Sequence, residues 1–325
     1  MSKGKLVIFG PWLGEFCYEL SWYIPRIRKL MNTVYTGYTS VAVGFDGRKI
    51  LYDDFTDAYI PYPVELDEMS KYPSCGGEFR GGSIEVIPHE FKQFVEYIKK
   101  EYSDDFDEIV IEYPQPELYS SNTSNLTNEE LPFGEFKHYT ASDNILQQVE
   151  SEIKFDNSRD TIALMARIRT RNGKTCKLDW NPEHWKTFIN LLVQQLQVNI
   201  VMIGIKQKDG SSAGASITFE NTDYIKSIDF SGTNSVERQI ALLKLTKCSI
   251  YGASGTAVFP FFTKTPTFTQ QTKQEGFRLM YQWERDLTDN LKNVAIFDKY
   301  NNNEIYDAPP HELYDEFNKF YKTVV

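Results

Sequence analysis

Short apolar runs alternate along this chain with longer segments whose apolar residues recur at helical spacing. In the first half, KLVIFG, TSVAVG and DEIVIEY are typical of buried strands, and VIPHEFKQFVEYIKKEY is typical of a helix. Strands that are separated by helices of this length form parallel sheets, which helices cover on both faces. The alternation therefore predicts an α/β fold.

A second alternation follows the turn-forming segment DNSRD, which predicts a domain boundary at residue 158. Its strand patterns include TIALMAR and CSIYGA, with helical patterns between them. The length of 325 residues suits two domains. We therefore predict two Rossmann-like parallel-sheet domains, 1–158 and 159–325, that face a central cleft, with a C-terminal helix that packs back.

The composition is that of a soluble globular protein, with 41% hydrophobic and 25% charged residues. No apolar run approaches the roughly 18 to 20 residues that cross a bilayer, and the first residues lack the pattern of a secretion signal. We therefore expect a cytoplasmic protein without a membrane span. The four cysteines are far apart, which favours reduced thiols over disulfides or a structural metal site.

Charge is distributed unevenly along the chain, whose formal net charge is −10. Residues 1–158 contain 14 Lys and Arg against 27 Asp and Glu, whereas residues 159–285 contain 17 against 10. A basic segment inside an acidic protein favours a small anionic ligand held by that segment. It argues against broad electrostatic binding to nucleic acid or to an anionic membrane.

Five basic residues lie close together directly after the strand pattern TIALMA. They are Arg167, Arg169, Arg171, Lys174 and Lys177. Crowding like charges at a strand end raises the free energy of the fold unless an anion lies among them, and guanidinium groups suit bidentate contacts to phosphate. The segment predicts a phosphorylated ligand, with a solvated basic edge strand as the alternative interpretation.

A turn of small residues follows the strand pattern CSIYG, and a helix is predicted to begin near Ala257 with Pro260 in its first turn. Small residues at such a turn let the backbone approach a ligand, and the free N–H groups of the first helical turn then point at it. Ser254, Gly255 and Thr256 are therefore candidate phosphate-binding residues. The alternative is a turn that is rich in small residues for packing reasons.

These features together resemble the GT-B glycosyltransferases, and most closely the heptosyltransferase-like family of inverting, nucleotide-sugar-dependent enzymes. In that family a lysine precedes a W-P-x-x-x-W helix start, to which the segment from Lys177 to Trp185, KLDWNPEHW, is similar. Asn181 suits the N-cap and Pro182 the first helical position. The family's D-T-G turn, which lies against the donor diphosphate, corresponds to Ala253-Ser254-Gly255. Ala253 replaces the family's aspartate and Val258 stands about where it has a histidine, so the resemblance does not specify the sugar.

The resemblance also implies a catalytic carboxylate just after the first strand, where the family has a G-D motif. Gly14 and Glu15 correspond to that dipeptide, and Glu15 would act as the general base that deprotonates the acceptor. Glu15 as a simple helix cap is the alternative, and Glu19 is the substitute base. Trp12, Gly14 and Tyr18 are expected on the acceptor side.

The expected activity is that of an inverting, metal-independent glycosyltransferase that moves a sugar from a nucleotide-diphosphate sugar to a hydroxyl acceptor. Arg167, Arg169, Lys174 and Lys177 would neutralise the departing diphosphate, so neither a metal ion nor another cofactor is expected. The acceptor would be a glycan or a hydroxymethylated DNA base. A nucleotide-sugar epimerase or hydrolase, and a non-catalytic nucleotide-sugar-binding protein, are the alternatives.

Overall fold

The computed structural model describes the following residues of the chain: 3–13, 16, 19–69, 87–114, 137–168, 170–171, 174–175, 179–204, 215–217, 219–230, 235–252, 255–270, 294–297 and 308–324. These residues form two compact units, one within Met1–Lys137 and one that comprises the described residues from His138 onward. In the described residues, no helix combines the length and the apolar character needed to cross a membrane.

The first unit is built on a four-stranded, fully parallel sheet with the order β3-β2-β1-β4. Its strands are β1 (Lys5–Phe9), β2 (Thr39–Gly44), β3 (Ala58–Pro61) and β4 (Glu108–Glu112). Its α-helices are α1 (Ile24–Thr33), α2 (Val64–Met69) and α3 (His89–Glu101). The core forms where Leu6 and Ile8 of β1 pack with Phe91 and Val95 of α3.

The pattern CYELSWYIPRIRKLM predicts a helix that Pro25 kinks or ends early, whereas in the structure Pro25 lies at the start of α1. A π-helical turn, Glu19–Tyr23, leads directly into α1, and Pro25 lies in the first turn of that helix. Proline is tolerated there because the first N–H groups of a helix have no partner within the helix. The proline therefore marks the start of α1.

The second unit contains a six-stranded sheet in which all neighbouring strands are parallel, with the order β11-β9-β5-β12-β13-β14. The bounds are β5 (Thr161–Met165), β9 (Asn199–Gly204), β11 (Ile225–Asp229), β12 (Cys248–Gly252), β13 (Thr267–Gln270) and β14 (Val294–Phe297). The chain first adds β9 and β11 on one side of β5, and then returns to place β12 on the other side. The strand order therefore reverses between β5 and β12.

Helices cover this sheet and close the second core. They are α4 (Asp143–Ile153), α5 (Pro182–Leu191), α6 (Ser235–Leu245) and α7 (Pro310–Tyr321). Trp185 and Phe188 of α5 pack with Leu164 of β5, Ile250 of β12 and Phe317 of α7. The predicted C-terminal helix is thus α7, and it is part of the core of the second unit.

Helix α4 belongs to the second unit, although the sequence places it before the boundary at residue 158. Its contacts are with α6, and the ion pair between Glu152 and Arg238 joins the two helices at 2.6 Å. Ile145, Val149 and Ile153 bury the apolar side of α4. Hydrophobic spacing predicts such a helix but does not reveal which sheet it covers.

The segment after β12 also differs from its predicted form. It is a 3-10 helix over Gly255–Thr263 that begins earlier than Ala257 and contains Pro260 in its interior. Pro260 has no backbone N–H, so it cannot make the hydrogen bond that an α-helix or a 3-10 helix would form at that position.

Candidate functional site

The two phosphate-suited motifs of the sequence meet at the point where the strand order of the second sheet reverses. Arg167 follows the end of β5, and Gly252 is the last residue of β12, which pairs with β5. A Cβ atom added to Gly252 would lie 3.6 Å from the backbone nitrogen of Arg167. Open parallel sheets bind ligands at the carboxyl ends of their strands, at such a reversal. We therefore refer to the carboxyl ends of β5, β12 and β13 as the switch-point edge.

The backbone around Arg167 is held by short antiparallel pairings. Strand β6 (Arg167–Ile168) pairs with β10 (Ala215–Ser216), and Ile217 N donates to Ala166 O at 2.7 Å. Arg167 is half-buried. These bonds fix the direction in which the chain leaves β5.

The alternation of Arg167, Arg169 and Arg171 predicts one face of a single extended strand, whereas Arg167 and Arg171 lie in short strands of different sheets. Strand β7 (Thr170–Arg171) forms a separate pairing with β8 (Lys174–Thr175), which places the backbones of Arg171 and Lys174 opposite each other. Arg169 and Lys177 lie outside the described residues.

The turn after β12 is described from Gly255 onward. Gly255 and Thr256 are the first two residues of the 3-10 helix, whereas Ser254 lies outside the described residues. At Gly252, a Cβ atom would lie 3.3 Å from Cζ2 of Trp185, which is tighter than most such contacts. A glycine at this position therefore allows the indole ring to lie against the end of β12.

The start of α5 follows the sequence prediction. Asn181 is the N-cap, and its Oδ1 accepts a hydrogen bond from Glu183 N at 2.9 Å. Pro182 is the first helical residue. Trp180 donates its Nε1 proton to Ala308 O at 2.8 Å, which ties this helix start to the segment before α7. The cap and these bonds place Trp185 over the switch-point edge.

Four buried polar groups at the switch-point edge have no hydrogen-bond partner among the residues that the structure describes. They are Nε1 of Trp185, the hydroxyls of Tyr251 and Thr269, and Nε2 of Gln270. All four residues are at most 1% exposed. Most buried polar groups are paired, and an unpaired one costs about 1–3 kcal/mol. Such a concentration at one edge is expected where a ligand or water completes the hydrogen bonds.

None of these four polar groups is among the ligand-binding residues predicted from the sequence. Tyr251 pairs in register with Thr269, and Gly252 with Gln270, so Tyr251, Thr269 and Gln270 lie within the last two positions of two adjacent strands. Burial raises the pKa of the Tyr251 phenol, which keeps it neutral. Polar residues at the ends of otherwise apolar strand patterns are the signal that would have identified them.

In the first unit, the chain leaves β1 through a turn that requires glycine. Gly10 has a φ of 132°, its N donates to Glu112 O at 3.2 Å, and a Cβ atom would lie 2.7 Å from Val43 O. The next predicted site residue, Trp12, is fully buried and stacks on Tyr23 with ring centroids 4.7 Å apart. Trp12 therefore packs inside this unit.

Glu19, the substitute base in the sequence analysis, is fully buried and engaged by two partners. It forms an ion pair with Arg48, and the hydroxyl of Tyr52 donates to its Oε1 at 2.6 Å. The Arg48 guanidinium lies over the rings of Phe45 and Phe16, at 4.4 and 5.2 Å from their centroids. A buried carboxylate needs such compensation. This environment suits a structural anchor. Gly14, Glu15 and Tyr18 lie outside the described residues.

A second carboxylate at the same edge of the first sheet is also engaged. Glu112, the last residue of β4, accepts hydrogen bonds from Arg26 Nη2 at 2.8 Å and from the hydroxyl of Tyr35 at 2.7 Å. Burial and this hydrogen bond raise the pKa of the Tyr35 phenol. The described residues contain no group of three His, Cys, Asp or Glu side chains that is suited to a metal ion.

Comparison with known proteins gives a fold match. No protein-family model matches the sequence, and no curated protein does. Among solved structures, the chain is similar to the ADP-heptose LPS heptosyltransferase II of E. coli, with a TM-score of 0.54 and 11% identity over 98% of this chain and 99% of that one. The chain has the fold of a GT-B glycosyltransferase.

A second solved structure supports the same fold. The glycosyl transferase family 9 protein of Veillonella parvula is similar to this chain, with a TM-score of 0.53 and 9% identity over 99% of this chain and 98% of that one. The predicted α/β fold with two parallel sheets, and the likeness to heptosyltransferases, are therefore confirmed. At these identities the match concerns the fold alone.

Proposed function

We propose that this protein is a glycosyltransferase that moves a sugar from a nucleotide-diphosphate sugar to a hydroxyl acceptor. One observation carries the proposal. The basic segment starts beside the end of β12, which leads into the small-residue turn: Arg167 N lies 3.6 Å from the Cβ position of Gly252, the last residue of that strand. The fold likeness to two glycosyltransferases over nearly the whole chain supports it.

The donor diphosphate would bind at the switch-point edge of the second unit. Gly255 and Thr256 begin the 3-10 helix, so their backbone N–H groups are suited to phosphate oxygens, and we assign Ser254 to the same role from its place in the sequence. Arg167, Arg169, Lys174 and Lys177 would neutralise the charge that grows on the diphosphate as it leaves. With these cations the reaction proceeds without a metal ion. Ala253 and Val258 depart from the heptosyltransferase pattern, so the proposal does not extend to ADP-heptose.

The transfer would invert the configuration at the anomeric carbon of the sugar. The acceptor hydroxyl oxygen attacks that carbon from the face opposite the diphosphate and loses its proton to Glu15. The bond between the anomeric carbon and the diphosphate oxygen breaks, and the nucleoside diphosphate leaves with the electron pair. We assign the base role to Glu15 because Glu19 and Glu112, at the same edge of the first sheet, are engaged by internal partners.

We assign the acceptor side to the segment after β1, with Gly14 and Tyr18; the predicted Trp12 is buried and would support this segment from inside the unit. The acceptor class would be a glycan or a hydroxymethylated DNA base. The net charge of −10 disfavours an extended nucleic-acid surface and leaves a glycan as the first acceptor to test. The reaction would take place in the cytoplasm, where nucleotide sugars serve as donors.

A panel of nucleotide sugars in EDTA, with and without glycan acceptors, tests the proposal. Release of nucleoside diphosphate and the mass of the acceptor are measured in the same reaction. We expect release that depends on the acceptor, together with an acceptor whose mass grows by one sugar. Release without an acceptor would favour a hydrolase, and conversion to an isomeric nucleotide sugar without net release would favour an epimerase. Binding without any conversion would favour a non-catalytic binding protein.

A further inference from the structure

We propose that the indole N–H of Trp185 and the side-chain amide of Gln270 donate hydrogen bonds to the ligand's diphosphate at the switch-point edge. This inference rests on the proposed function, because it concerns the same donor site. It adds two residues that neither the sequence motifs nor the family resemblance assigns to the ligand.

The Trp185 ring lies against the end of strand β12. Trp185 is 1% exposed, and its Cζ2 would lie 3.3 Å from a Cβ atom on Gly252. Cζ2 and Nε1 are both bonded to Cε2, so the N–H side of the ring lies at the end of β12. The same Cβ position is 3.6 Å from Arg167 N. The indole N–H is therefore next to both proposed phosphate-binding segments.

The neighbouring tryptophan, Trp180, differs from Trp185 in the hydrogen bonding of its indole N–H. Trp180 and Trp185 pack edge to face with ring centroids 4.8 Å apart, and Trp180 donates its Nε1 proton to Ala308 O at 2.8 Å. Nε1 of Trp185 has no partner among the described residues. Buried indole N–H groups usually have a partner. The Trp180 indole thus bonds within the protein, whereas the Trp185 indole N–H has no acceptor among the described residues and lies at the switch-point edge.

A second unpaired donor lies at the end of β13, the strand next to β12. Gln270 is the last residue of β13, pairs in register with Gly252, and is 1% exposed. Its Nε2 also lacks a partner within the described part of the chain. Because Gly252 has no side chain, the neighbouring position on β12 leaves Gln270 open to a ligand at the strand end.

The chemistry of the two groups specifies the kind of partner. An indole N–H and an amide NH₂ are donors only, so the group that satisfies them must be an acceptor. Diphosphate oxygens are strong acceptors, and bonds from neutral donors to them are charge-assisted. The backbone nitrogen of Arg167 lies 3.6 Å from the Cβ position of Gly252, and we assign its guanidinium to the same diphosphate. We therefore assign the pair to the diphosphate and not to the nucleobase.

The test uses Trp185→Phe and Gln270→Met, which remove the donors and keep most of the side-chain volume. Trp180→Phe is the matched control, because it removes an indole N–H that is already paired. Affinities for pyrophosphate and for ADP, GDP, UDP and CDP are measured by calorimetry, and the indole N–H resonances are followed by NMR. The Trp185 signal is assigned from its loss in Trp185→Phe.

We expect the Trp185 indole resonance to shift on addition of pyrophosphate, and each donor variant to bind the best diphosphate about tenfold more weakly. Trp180→Phe should lower the melting temperature and keep the wild-type affinity. Wild-type affinity in both donor variants, with an unshifted Trp185 resonance, would overturn this inference and leave the proposed function intact. If the wild-type protein bound neither pyrophosphate nor any nucleoside diphosphate, both proposals would fail together. Should Trp185→Phe not fold, the Trp185 indole resonance is assigned by triple-resonance NMR on the wild-type protein, and that resonance together with Gln270→Met decides.

Discussion

Arg48 and Glu19 form an ion pair inside the first unit, and the carboxylate of Glu19 is fully buried. The pair joins the π-helical turn that precedes α1 to the segment after β2. Tyr52 completes it through a hydrogen bond of 2.6 Å to Glu19.

Removing only the cation should therefore destabilise the protein strongly. In Arg48→Met the buried carboxylate loses its charged partner, and we expect the free energy of unfolding to fall by about 3–5 kcal/mol. In Glu19→Gln/Arg48→Met no buried charge remains, so the loss should be smaller. Chemical denaturation of the two variants gives both values. Equal stability of Arg48→Met and the wild-type protein would show that the pair contributes nothing to the fold.

Substitution of the two glutamates after β1 should have different effects, on the transfer rate for Glu15 and on the melting temperature for Glu19. Glu15→Gln retains the size of the side chain and removes its basicity, so transfer should fall by about 10²- to 10⁴-fold with little change in nucleotide affinity. Glu19→Gln should instead lower the melting temperature. Rates of nucleoside diphosphate release, with melting curves of both variants, give this comparison. A Glu15→Gln enzyme with the wild-type rate would remove Glu15 from the mechanism.

The Cys248 thiol should stay protonated through ordinary pH. Burial raises its pKa to about 12, above the value of about 9 expected in the unfolded chain. The folded state then holds the proton more tightly, so this contribution to stability is complete below about pH 9 and is lost as pH rises towards 12. Alkylation at pH 8.5, followed by peptide mass analysis, should leave Cys248 unmodified in the native protein and modify it in denaturant. Rapid native modification would contradict the burial.

The sequence predicts much of the local structure of the second unit. The strand patterns of β5 and β12, and the cap formed by Asn181 with Pro182 after it, need only local periodicity and backbone chemistry. The adjacency of β5 and β12 is different, because strand order depends on how the chain crosses the sheet. The meeting of Arg167 and Gly252 follows from that order and not from either motif alone.

Other features depend on tertiary packing that a single sequence does not encode visibly. The spacing of Glu19 from β1 suits a catalytic carboxylate, yet its partners Arg48 and Tyr52 come from a distant segment and bury it. Trp180 and Trp185 look alike in sequence, and only the position of Ala308 distinguishes the paired indole from the unpaired one. Such distinctions concern single atoms and appear only once the fold is known.

The most direct measurement of the central claim is the affinity of nucleoside diphosphates for the wild-type protein and for Arg167→Gln in EDTA. Arg159→Gln is the matched control: it changes the net charge equally but lies near the amino ends of β5 and β9, where Arg159 donates to Val193 O and packs over Tyr224. We expect one nucleoside diphosphate to bind the wild-type protein without Mg²⁺. Its affinity should fall by about tenfold or more in Arg167→Gln and stay the same in Arg159→Gln. Equal affinity in all three proteins, or binding that requires Mg²⁺, would contradict a metal-independent diphosphate site at the switch-point edge.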